Sequence, residues 1–249
     1  MTRLNFHPGG YRDEYDSRDR RFAPALARLP RRVDLSRYCG PAYQQYRTQS
    51  CSANALASAL VVLANQLDLA FALPSRLFIY YNARLLKGQQ RKDSGTTIRT
   101  ALKALVRYGA PPEAQWPFRK RRITLRPPRA CYRDNELFPI VYHRVRQRLD
   151  HLHAVLAQAH AFVFGIEAYG EPFTQAATTA YLRLPRKTDT LFGGHALIAV
   201  GYDRDKQAFL ARNSLGAGYA RDGFFWIPDA YFTNPKLTYD FWFIGGSTG

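Results

Sequence analysis

Acidic residues are scarce in this chain: 19 Asp and Glu stand against 36 Lys and Arg, a formal charge of +17 at pH 7 over 249 residues. Such a balance favours anionic partners, or it marks a solvated cationic surface, and it says nothing about fold. Cysteine is also rare. Three residues (Cys39, Cys51, Cys131) cannot build a disulfide framework, and the odd count leaves at least one thiol free. That suits a reducing compartment or a chain carrying its own reactive thiol. No run approaches 18 apolar residues, so no membrane span is expected. Met1–Gly10 has no apolar core of a Sec signal peptide, which points to the cytoplasm or to export by another route. His151 and His153 are two apart on an expected helix and do not share a face, so no metal pair is expected there. No cofactor motif is present. At 46% hydrophobic residues, what remains is enough for one two-lobed unit or two small domains sharing a cleft, expected as a monomer.

Residues 1–32 are polar, rich in Arg, Asp, Tyr and Pro, and without helical or strand period. They read as an extended arm centred on Tyr11–Asp16. Globular composition begins at Val33 and defines a second unit, 33–249. Helix signals dominate to about residue 109. Ser52 to Gln66 is an apolar helix beginning at Cys51, Pro74-Ser75 opens a second, and Thr96 or Thr97 opens a third that Gly109 ends. Residues 110–148 look like a long connection, and Leu149, Leu152, Val155 and Leu156 mark one more helix. Strand signals follow at 161–166, 195–202, 209–214, 224–227 and 241–244. Helices first and strands later predict an α+β fold with segregated lobes, helical over about 45–130 and β-rich over about 131–244 plus 33–44.

Cys51 sits at the start of the first helix, where unpaired backbone N–H groups favour a thiolate. A nearby imidazolium would favour it further. His195 is expected to open a strand on the opposite lobe. Asn213, ending the next strand, could orient its ring through the side-chain carbonyl. Gln45 lies in the turn before the helix. Its amide, with the Cys51 N–H, supplies the two donors that a developing oxyanion requires. His195 follows Cys51 by 144 residues and Asn213 follows it by 162. A Cys-to-His interval of about 130–150 residues is that of papain-type peptidases.

These segments resemble the papain family, whose Gln-Gly-x-x-Gly-Ser-Cys, Gly-His-Ala and Asn-Ser-Trp-Gly runs occur in this order. The resemblance covers roughly residues 33–244. It implies a two-lobe fold with the active site in the cleft between lobes, and a cysteine endopeptidase without cofactor or metal. Matched residue by residue, Cys51 is the nucleophile, His195 the acid/base, Asn213 its orienting partner and Gln45 the oxyanion donor. Asp93-Ser94-Gly95-Thr96 is similar to the strip that binds the substrate backbone, which assigns Ser94 and Gly95 to substrate binding, with Gly194 beside the histidine. The run from Tyr219 to Phe225 is similar to the family's Trp-Gly-x-x-Gly-Tyr-Phe strand. There are departures. Tyr46 and Gln49 replace the two glycines of the first motif, Ser52 follows the nucleophile where many relatives have an aromatic, Leu215 replaces the Trp, and Thr48 replaces a disulfide cysteine.

Other readings stand beside this one. The same fold can perform another thiol acyl transfer, as a transferase or isopeptidase. A weakly catalytic protein could instead use its basic surface for an anion, nucleotide or nucleic acid. The run Arg119–Arg122 with Arg126, Arg129 and Arg133 is either such a site or a solvated loop. The arm has no core of its own and directly precedes the catalytic unit. It is expected to lie across the cleft as a short inhibitory pro-segment, or else to be a loose tail.

Overall fold

The computed structural model describes residues 7–25, 28–133 and 140–246. The reading of the extreme N-terminus therefore falls largely outside the described residues.

Two lobes meet at one central helix. That helix, α1 (Cys51–Gln66), is buried from Cys51 to Ala64 except at Ser58. Small residues (Ala53, Ala57, Ala64) let neighbours approach on every side, so the helix serves as core for both lobes. Helices α2 (Arg76–Leu85) and α3 (Ile98–Tyr108) pack on one flank. Each starts where its cap residue stands: Ser75 accepts from the Phe78 N–H, and Thr97 accepts from the Thr100 N–H. Gly109, at φ 74°, ends α3. A four-residue α4 (Ala130–Arg133) buries Cys131 against Leu77, Phe78 and Trp116.

The other flank is a seven-stranded sheet whose order is β4 (Ile140–Arg144), β9 (Thr238–Gly246), β5 (Phe162–Tyr169), β6 (Leu191–Asp203), β7 (Ala208–Arg212) and β8 (Phe224–Pro228). The strand β2 (Arg32–Asp34) pairs with the far end of β6, where β5 has already left. Helix α5 (Leu149–Ala157) lies against β6, α6 (Gly170–Thr179) against β5, and α7 (Asp229–Phe232) against β8 and β9. Phe162, Phe164, Phe209, Phe232 and Phe241 form the aromatic centre of this lobe.

The expected elements are present, with four differences. The connection at 110–148 contains an edge strand, β4, whose Ile-Val-Tyr-His-Arg sequence is only half-buried and so lacks a clear alternation. Helices α6 and α7 lie among the strands and are short and weakly periodic. Strand β6 begins at Leu191, because Gly193 and Gly194 continue the ladder with Ala168 and Glu167, so His195 is inside the strand and does not open it. The arm forms a strand of its own: β1 (Gly10–Tyr11) pairs in parallel with β3 (Thr96–Thr97).

Acidic arm residues meet basic groups of the body. Asp19 pairs with Arg99 at 2.6 Å and with Arg144 at 3.1 Å, and Asp16 lies 3.9 Å from Lys103. Asp13 accepts from the Trp242 indole and the Arg99 N–H. Phe22 then packs edge-on to Phe243, which His143 and His160 stack upon. No disulfide joins the three cysteines, and Cys39 and Cys131 lie in separate clusters.

Candidate active site

Cys51 is the first residue of α1 and is fully buried. The turn before it is a hydrogen-bonded knot. Gln45 receives the Thr48 N–H at 3.2 Å and the Thr48 hydroxyl at 2.7 Å on its backbone carbonyl. The Thr48 and Ser50 hydroxyls lie 2.7 Å apart, and Asn54 Nδ2 donates to Ser50 Oγ at 2.9 Å. Thr48 thus ties the turn by hydroxyl where relatives have a disulfide. Tyr46, standing where the family has glycine, takes the glycine conformation with φ 53°. A side chain there is strained. The Tyr46 N–H donates to Gln44 Oε1 at 3.0 Å, and its ring lies 6.3 Å from that of Phe118. The second missing glycine, Gln49, bonds Asp93 through both backbone and side chain.

The Gln45 amide is buried and every polar atom of it is engaged. Its Oε1 accepts from the Ser214 hydroxyl at 2.6 Å, and its Nε2 donates to the Thr48 carbonyl at 2.8 Å and the His7 carbonyl at 3.3 Å. Across the cleft, His195 Nε2 lies 2.9 Å from Asn213 Oδ1, which also accepts the Ser214 N–H at 2.8 Å. Register explains this meeting: Ile198 pairs with Arg212, and Asn213 leaves β7 one residue later, on the His195 side. Phe173 stands edge-on to the His195 ring at 6.1 Å, and Tyr219 and Phe225 continue that aromatic wall.

Arm residues His7 to Tyr11 run over these groups. The Gly9 carbonyl accepts the Thr96 N–H at 3.0 Å. Gly95 has φ 68°, and a Cβ on it would collide with the Gly9 carbonyl. On the opposite wall, a Cβ on Gly194 would collide with the Gly10 carbonyl. Gly9 itself is required, since a Cβ there would strike the Gln49 side chain and carbonyl. Of the expected substrate strip, Gly95 gives its N–H to the Tyr80 hydroxyl at 2.9 Å, and the Ser94 hydroxyl donates to Gln89 Oε1 at 3.3 Å. Thr96 is the residue whose amide meets the extended chain in the cleft. The Asp93–Thr96 run contained it, and its side chain gave no reason to prefer it to Gly95.

Electrostatics differ from the expected thiolate–imidazolium pair. Burial pushes the Cys51 thiol up to about 11, although amides of Gly9, Ala196, Ser52 and Cys51 itself favour the charged form. Burial also lowers His195 to about 4, against a smaller opposing effect of its bond to Asn213. Both shifts favour the neutral forms at pH 7. The physical reason is burial, which outweighs the helix N-terminus.

A buried Cys at a helix start and an Asn-held histidine on the opposite lobe are the groups of a thiol peptidase of papain-like architecture. Comparison places the chain among known proteins. Xylellain, a cysteine protease from Xylella fastidiosa, superposes with a TM-score of 0.89 at 37% identity, over 99% of this chain and 98% of that one. The chain belongs to the papain-like cysteine peptidases. It is also 32% identical to an uncharacterized peptidase C1-like protein of Acanthamoeba polyphaga mimivirus, over 78% of this chain, and spans 66% of that protein's length. Procathepsin B S9 from Trypanosoma congolense shares the fold, with a TM-score of 0.74 at 16% identity over 96% of this chain and 86% of that one. No family model matches the chain. Among the described residues, no helix is long and apolar enough to cross a membrane.

Proposed function

We propose that the protein is a cysteine endopeptidase that hydrolyses peptide bonds through a thioester on Cys51. The observation that carries this reading is the pairing of His195 Nε2 with Asn213 Oδ1 at 2.9 Å, buried in the lobe opposite Cys51. With Nε2 so held, Nδ1 is the ring nitrogen left to exchange a proton with the thiol. In the forward step the Cys51 thiolate attacks the carbonyl carbon, and negative charge moves to its oxygen. Gln45 Nε2 and the Cys51 N–H donate to that oxygen. The C–N bond then breaks as His195 protonates the departing amine, leaving an acyl group on sulfur. Water, deprotonated by His195, releases the acid and restores the thiol.

The arm, about residues 1–32, is a cis-acting inhibitor in this reading, and 33–249 is the peptidase unit. What supports inhibition is that the His7 carbonyl occupies the Gln45 donor and Gly9 occupies the Thr96 amide, the two groups a substrate needs. Labelling with an epoxide-type thiol inhibitor followed by peptide mapping tests both statements. Slow labelling of Cys51 in the full chain, accelerated by arm removal and abolished in His195→Ala, is expected. Equal labelling of Cys39, Cys51 and Cys131 in both forms would defeat the catalytic reading.

A further inference from the structure

Two loops of the helical lobe, 87–92 and 119–126, are rich in exposed cations, and a buried arginine holds the two together. Arg84 is fully buried, lies over the Tyr80 ring at 3.9 Å and gives its guanidinium to the carbonyls of Lys92 and Ile123. Burying that charge is unfavourable, and carbonyls alone accept from it, so both loops are anchored around it. Lys87, Arg91, Arg119, Lys120, Arg121 and Arg126 are exposed on these two neighbouring loops. None of them enters an ion pair among the described residues.

Both loops adjoin the cleft. Lys92 leads directly into Asp93–Thr96, whose Thr96 amide holds the extended chain in the cleft. Beside the other loop, Phe118, next to Arg119, stands against Tyr46, next to Gln45. A polypeptide that leaves the cleft beside either loop would run onto these cations. The arm lies in the cleft through Gly9–Tyr11, and its Asp16 and Asp19 meet Lys103, Arg99 and Arg144 away from these loops, which leaves the loop cations to a segment in trans. Arginine predominates in the run at 119–126, and its planar fork suits carboxylates.

We infer that this basic pair of loops is an exosite for acidic segments of protein substrates, flanking the stretch that enters the cleft. The inference rests on the peptidase reading for the word substrate, and its binding test does not. The probe is a fluorescein-labelled peptide carrying six glutamates, with its glutamine counterpart as control, titrated into full-length Cys51→Ala protein by anisotropy. Binding should require the glutamates, weaken as salt rises, and fall about tenfold in an Arg119→Glu/Arg121→Glu/Arg126→Glu variant whose melting temperature is unchanged. With active enzyme, the same variant should raise KM for a Glu-tailed substrate and leave a neutral short peptide unaffected. Equal binding of the glutamate peptide by parent and variant overturns the exosite. Tighter binding of an oligonucleotide of equal charge overturns the polypeptide as its occupant. Failure of Cys51 to label in the wild-type chain would instead defeat the peptidase reading, with the anisotropy result standing apart.

Discussion

The Ser214 hydroxyl donates to Gln45 Oε1 at 2.6 Å, and this contact sets which way the amide points. With its oxygen committed to Ser214, Gln45 must present Nε2 to the Thr48 carbonyl and to the cleft. The arrangement links Ser214, the residue after Asn213, to Gln45, proposed above as the oxyanion donor, on the opposite lobe.

Removing that hydroxyl should loosen the amide. Ser214→Ala is expected to lower kcat about tenfold with little change in KM, against roughly 10²–10³ for Gln45→Ala. In a Gln45→Ala background, Ser214→Ala should add almost nothing. Full additivity in this double-mutant cycle would show that the hydroxyl works elsewhere.

Gly9 passes Gln49 without room for a side chain. Gly9→Val should therefore expel the arm from the cleft while leaving its acidic anchors intact. Activity of the full chain toward small peptides is expected to rise roughly tenfold, a displacement of the covered–open equilibrium by about 1.4 kcal/mol. Readmitted water should also lower the thiol from its covered value near 11, so alkylation of Cys51 at pH 7 should speed up. Kinetics identical to the parent would mean that the arm does not limit access.

Leu215, which stands where the papain motif has Trp, is half-buried next to Asn213 and Ser214. Leu215→Trp would cover more of the His195–Asn213 bond. Measured kcat/KM should be preserved or raised. A clear loss would show that this wall, with Phe173 and Tyr219, has packed around leucine.

Stability should fall on mild acidification. His153 and His195 are both lowered to about 4 by burial. A base depressed in the folded state favours folding above its unfolded value of 6.5, and that contribution fades as pH drops toward 4. At pH 5 each histidine forfeits on the order of 2 kcal/mol. Asp240, raised to about 6 by burial and by Asp13 nearby, acts oppositely, since its contribution is present at low pH and lost as pH rises through 6. From pH 7 to 5 it returns only about 1 kcal/mol, so the histidines prevail. The melting temperature should drop over that range, and less steeply in His153→Phe, which keeps the stack on Phe209. An unchanged slope in that variant would remove His153 from the explanation.

The sequence by itself determined the local signals and their order. Caps at Ser75 and Thr97, the apolar run after Cys51, and the succession Gln45, Cys51, His195, Asn213 are properties of neighbouring residues and of spacing, so a linear reading finds them. Tertiary structure decided what spacing cannot express. The register of β6 on β7 put Asn213 against His195, and the sheet drew in β4, whose half-buried pattern hides it. Thr96 came to face the cleft chain because Tyr80 had taken the Gly95 amide. The charge state of the site was decided in the same way. A helix start predicts a thiolate, yet burial shifts Cys51 and His195 toward their neutral forms, because desolvation depends on what covers a group and not on which residues flank it in the chain.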